Sequence, residues 1–173
     1  MHSWITKTAV IFMAVAMTQA RAASPNVTIP GGVLDGSIAG VDVYVGVPNE
    51  AAAPPGKACQ AVKRYVDLVN AGQFAKVADL FQENAALLEP TGHTALGRDQ
   101  IRAFYEKTIG QMRPQVVAVA FVGDDTDCMV ELATKRKVNN ELRYVLVSVD
   151  HFKMGADGRI SSMIAFVRPP RNA

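Results

Sequence analysis

The sequence predicts an α+β fold, a curved antiparallel sheet with three helices on one face. Two observations predict it. Apolar residues recur at helical spacing in three stretches of the middle of the chain, and four longer, strand-like stretches follow. Short turns join those last four stretches, which makes sequence neighbours antiparallel partners.

The first helix is Lys57–Asn70, with Val62, Tyr65, Val66 and Val69 at i, i+3, i+4 and i+7. Asn70-Ala71-Gly72 ends it. A shorter helix over 73–81 presents Phe74, Val77, Ala78 and Phe81 on one side. Residues 85–89 (AALLE) form a short strand closed by Pro90, and a third helix over 98–109 turns Ile101, Phe104 and Tyr105 inward. Strands over 115–122, 128–137, 141–153 and 159–167 follow, separated by Gly123-Asp124-Asp125, Asn139-Asn140 and a turn at 155–158. Residues 115–122 and 144–152 are apolar on both faces, so both faces need cover. The helices supply one side. A second copy of the chain is expected on the other, a homodimer through Val145, Val147 and Val149.

Residues 1–22 read as an export signal. Lys7 gives a positive start, TAVIFMAVAM an apolar run too short to span a bilayer, and Ala20-Arg21-Ala22 a small-x-small cleavage site. The expected location is periplasmic or secreted, without stable membrane insertion. Residues 23–55 form an extended arm or linker, rich in Gly and Pro, with a strand signal at 41–47 (VDVYVGV). Residues 56–170 form one domain. Loss of Lys7 and Arg21 leaves 16 basic against 16 acidic residues. That balance excludes a nucleic-acid surface, and Lys135-Arg136-Lys137 reads as a solvated hairpin end. Cys59 and Cys128 match no metal-site spacing; export allows a disulfide between them, and two small buried apolar residues is an equal alternative.

Three polar residues fall where an apolar face expects none: Tyr65 on the buried stripe of the first helix, Glu89 at the end of the first strand, and Asp150 near the end of the longest. Strict alternation puts Asp150 on one face with Tyr144, Leu146, Ser148 and Phe152, and Val145, Val147 and Val149 on the other. Singly, each polar residue has a bland account: a core tyrosine, a strand end in water, a carboxylate bonded to backbone amides. Together inside one apolar cavity, one carboxylate can act as base. The other, desolvated and protonated, can join tyrosine in donating to an oxyanion.

Residues 61–89, Ile101–Tyr105 (IRAFY), Val149–Phe152 (VDHF) and Gly158–Phe166 (GRISSMIAF) resemble the bacterial Δ5-3-ketosteroid isomerases of the nuclear transport factor 2-like (SnoaL-like) superfamily. The resemblance implies a cone-shaped α+β roll. It matches Tyr65 and Asp150 to an oxyanion hole and Tyr105 to a tyrosine bonded to the catalytic one. Phe81 and Met163 match cavity-lining positions, and Glu89 matches the general base. The family's base is aspartate, so here it is one methylene longer, and the loop at 91–97 is one residue shorter. The implied chemistry takes a proton α to a ketone and returns it at the γ carbon, with no metal or organic cofactor. Phe81, Phe104, Tyr105, Leu146, Phe152 and Met163 form the expected wall for a small, flat apolar ketone. A ligand-binding module of the same fold is the alternative. A hydrolase or cyclase would need an added Asp–Arg or His–Asp pair inside the cone.

Overall fold

The computed structural model describes residues 26–38 and 40–168; residues 1–22, expected to be an export signal, lie outside them. Helix α1, Lys57–Asn70, buries Ala58, Cys59, Val62, Tyr65, Val66 and Val69. Its first amides bond to the Asp125 carboxylate (2.9 Å) and the Asp124 carbonyl (3.2 Å), so a turn of the sheet caps the helix. Gly56 permits that approach, since a Cβ there would lie 2.3 Å from the Asp124 carbonyl oxygen.

Helix α2, Phe74–Asp79, is shorter than expected, because Phe81 already belongs to a strand. Helix α3, Arg98–Phe104, is held to α2 by Arg102, which bonds the Ala75 carbonyl and Asp79, both at 2.8 Å. It continues through a π-helical turn at Tyr105–Ile109 and ends after Met112.

Two strands of the arm, β1 (Val27–Ile29) and β2 (Gly32–Leu34), pair with each other. The main sheet comprises β3 (Phe81–Leu88), β4 (Thr94–Leu96), β5 (Val116–Gly123), β6 (Asp127–Val138), β7 (Glu141–Met154) and β8 (Ile160–Val167). Their order is β4-β3-β8-β7-β6-β5. All neighbours are antiparallel except β3 and β8, which run parallel. Asn139 and Asn140, both left-handed, make the tight β6–β7 turn. Register breaks in β3–β8, β5–β6, β6–β7 and β7–β8 bend the sheet around the helices.

One break changes the expected facing of β7. Leu132 pairs with Ser148 but Ala133 pairs with Leu146, leaving Val147 as the extra residue. Asp150 and Phe152 face the helices as expected. Beyond Val147 the alternation reverses, and Leu146 turns to the opposite face. There it packs with Tyr44, Val119 and Ala133. Leu146 is therefore not part of the cone wall.

The arm supplies cover that the sequence assigned to a second subunit. Where β8 ends, residues 42–44 take its place against β7: the Leu146 amide donates to the Asp42 carbonyl (2.9 Å) and the Tyr44 amide to the Tyr144 carbonyl (2.8 Å). Val43 packs on Val145 and Val147, and both are buried within the single chain. The expected strand at 41–47 is reduced to these few pairings. Cys59 and Cys128, both fully buried, form a disulfide joining α1 to β6.

Candidate active site

Between the helices and the concave face of the sheet lies a cavity of about 310 Å³. Its wall includes Tyr65 from α1, Glu89 after β3, Tyr105 and Ile109 from the π-turn, Asp150 from β7 and Met163 from β8. Three stretches far apart in sequence thus bring Tyr65, Glu89 and Asp150 to one chamber. Phe104 also lines it. Phe81 and Phe152 are fully buried behind the wall, Phe152 against Tyr65 (ring centres 5.0 Å apart) and Phe81 near Tyr105 (6.4 Å). They support the polar groups without lining the chamber. His151 points to the convex side, bonded to Asp127 at 2.9 Å.

Asp150 is 4% exposed, and its Oδ1 has no hydrogen-bond partner. Burial pushes its carboxyl up to about 7 from an ordinary 3.8, and the neighbouring Ser148 hydroxyl pulls partly the other way. Near neutrality this carboxyl is therefore available in its protonated form, as a donor. Tyr65 is raised first by burial and then by the Asp150 charge, while a bond from Tyr105 opposes the shift. The Tyr105 hydroxyl donates to the Tyr65 oxygen at 3.0 Å, which leaves the Tyr65 proton free for a ligand.

Glu89 presents the second carboxyl at the rim, its side chain 14% exposed. One oxygen meets His93 Nδ1 at 3.0 Å and the other the Thr91 hydroxyl at 3.4 Å. The backbone closes the same turn, with the Glu89 amide donating to the His93 carbonyl at 2.9 Å. An ionised Glu89 can only accept, so the shared proton sits on Nδ1. Sequence reasoning missed His93 and Thr91; the Glu-Pro-Thr-Gly-His turn was their only signal. It also missed Ile109 and Met112, which the wider π-turn helps bring into the wall.

The SnoaL-like domain family matches residues 62–163. The chain belongs to that family. It is 32% identical over 111 residues to a steroid Delta-isomerase of Nocardioides simplex, a match covering 63% of this chain and 88% of the relative. Two solved structures superpose with a TM-score of 0.54. One is SalBIII, an epoxide hydrolase/cyclase-like enzyme of pyran ring formation in salinomycin, 23% identical over 63% of this chain and 88% of its own. The other is RV0760c of Mycobacterium tuberculosis, in complex with estradiol-17β-hemisuccinate, 15% identical over 64% and 93%. These two establish the fold. The chemistry rests on the groups in the chamber.

Proposed function

We propose that this protein is a Δ-isomerase of the ketosteroid type, acting on a flat apolar ketone with a β,γ double bond. Glu89 takes the proton from the carbon α to the carbonyl, and the electrons move into a dienolate. Tyr65 and protonated Asp150 donate to the dienolate oxygen. Glu89 then returns its proton to the γ carbon, which leaves the double bond conjugated and the base regenerated. One isomer becomes another with no net gain or loss of protons or electrons. The observation that carries this reading is Asp150: a buried carboxyl with an unpartnered oxygen, beside a tyrosine whose proton is free, in the chamber that Glu89 borders. The kinship with a steroid Delta-isomerase supports it.

The test is turnover of a β,γ-unsaturated steroid ketone, followed by absorbance of the conjugated product. Activity that falls as pH rises through about 7, and loses that dependence in Asp150→Asn, supports the assignment. The titratable and polar groups that share its chamber are Glu89, Tyr65, Tyr105 and Ser148. Tight binding of a planar phenol with no turnover at any pH would instead favour the ligand-binding module.

We also propose export, with cleavage after Ala22. The signal-like pattern at 1–22 motivates it, and the buried Cys59–Cys128 disulfide suits an oxidising compartment. Mass spectrometry of secreted material should find Ala23 first; protein retaining Met1 there would contradict it.

A further inference from the structure

A second chamber, about 420 Å³, adjoins the first and shares Tyr65, Ile109, Met112 and Ser148 with it. Its far wall is different in kind. Leu132, Thr134, Lys135 and Arg136 of β6 line it, and alternation along the strand puts the Arg136 side chain on the cleft face with Leu132 and Thr134. All three residues of the basic trio are exposed, as a solvated hairpin end requires, and Arg136 also borders the mouth of this chamber. Arg136 stands at the far end of the second chamber, which shares a wall with the chamber of Asp150.

The charge arrangement around Arg136 is unusual. Its cross-strand partner is Arg143, and like charges directly opposite one another are unfavourable. Arg143 is neutralised by Glu141, through bonds of 3.0 and 2.6 Å. Among the described residues, Lys135, Arg136 and Lys137 have no ion pair. A guanidinium facing another cation, unpaired, with Lys135 beside it at the end of a largely apolar chamber, is placed for an anion from outside the chain. Its planar fork matches a carboxylate.

We propose that this second chamber is a tail subsite, in which Arg136 binds the carboxylate of a flat apolar ketone carrying an acidic side chain. The ketone end rests on the function proposed above; the tail end rests on the cleft alone. Asp150 pairs with Val130, six residues from Arg136, about 20 Å along the strand. Less the reach of the arginine, that span suits a multi-ring body with a short tail. A bare ring system would leave the second chamber empty.

The experiment compares two probes by equilibrium binding: a planar polycyclic phenol with a propionate tail, and its methyl ester. A phenol mimics the dienolate oxygen and does not react, so the result does not depend on whether the protein turns over any ketone. The carboxylate is expected to bind about tenfold tighter than the ester at low salt. That gap should close in high salt and in Arg136→Gln, and persist in part in Arg136→Lys. Equal affinity for both probes, or an Arg136→Gln variant that weakens both alike, would overturn the tail subsite. Absence of isomerase turnover together with the expected gap would overturn only the reaction.

Discussion

Asp150 is costly as an anion, and that cost has a pH signature. Below an ordinary carboxyl's 3.8 the group is protonated whether the chain is folded or not, so no penalty exists. Above about 7 the folded state must hold a buried charge that the unfolded state exposes to water. A difference of that size is worth on the order of 4 kcal/mol. Asp150→Asn should therefore raise the melting temperature at pH 8 and leave it nearly unchanged at pH 4; an equal shift at both would deny the titration. The base makes a separate prediction. Glu89→Gln keeps shape but cannot take a proton, so kcat should fall by roughly 100-fold or more while phenol affinity survives. Tyr65→Phe removes one oxyanion donor, and Asp150→Asn should cost less because the amide still donates. Glu89→Asp supplies the aspartate that the family resemblance implies but loses the reach to His93 and Thr91, so holding or rising activity would show that the turn's clasp is dispensable. Tyr65, Glu89 and Asp150 were legible because each breaks an apolar pattern. His93 was not, since a polar side chain in a loop breaks none.

At the level of elements, β7 shows where alternation stops being a guide. The run Tyr144-Val-Leu-Val-Ser148 is almost uniformly apolar, so nothing in it marks Val147 as the residue where the face reverses. The bulge keeps Ser148 and Asp150 in the cone and hands Leu146 to the arm. Helix α1 was legible to its ends because its apolar stripe keeps helical spacing throughout. The π-turn was not, since a single wide turn leaves that spacing almost intact. The disulfide anchors the start of α1, two turns before Tyr65, to β6, which pairs with the strand of Asp150. Closing a loop across 69 residues limits the unfolded chain and is worth about 4 kcal/mol. A Cys59→Ala, Cys128→Ala variant should lose close to that in a denaturant titration, with the far-UV spectrum retained. A loss below about 1 kcal/mol would mean that packing alone positions the helix.

Across the whole molecule, the convex side of the sheet is divided. The arm covers one part, with Ile29, Leu34 and Tyr44 over Val117, Val119 and Leu146. That cover was hidden in the sequence because Gly- and Pro-rich composition describes a linker and an ordered strap equally well. The rest is bare and apolar. Register aligns Val122, Met129, His151, Ile164 and Leu88 in one row across five strands, roughly 20 Å long at the usual strand spacing. Phe166 stands beside this row, 56% exposed, and Val122 is 70% exposed. The Asp127 pairs with His151 and Lys153 give one edge of the row a polar rim. An isologous pair of such rows would bury apolar surface on both copies, and we propose the homodimer through this row in place of Val145 and Val147. Light scattering at micromolar concentration should give twice the chain mass. Met129→Lys, which sets a charge in the row away from both chambers, should give a monomer that still binds the phenol probe. A wild-type monomer, or a Met129→Lys variant that stays dimeric, would mean that the bare row is not the interface.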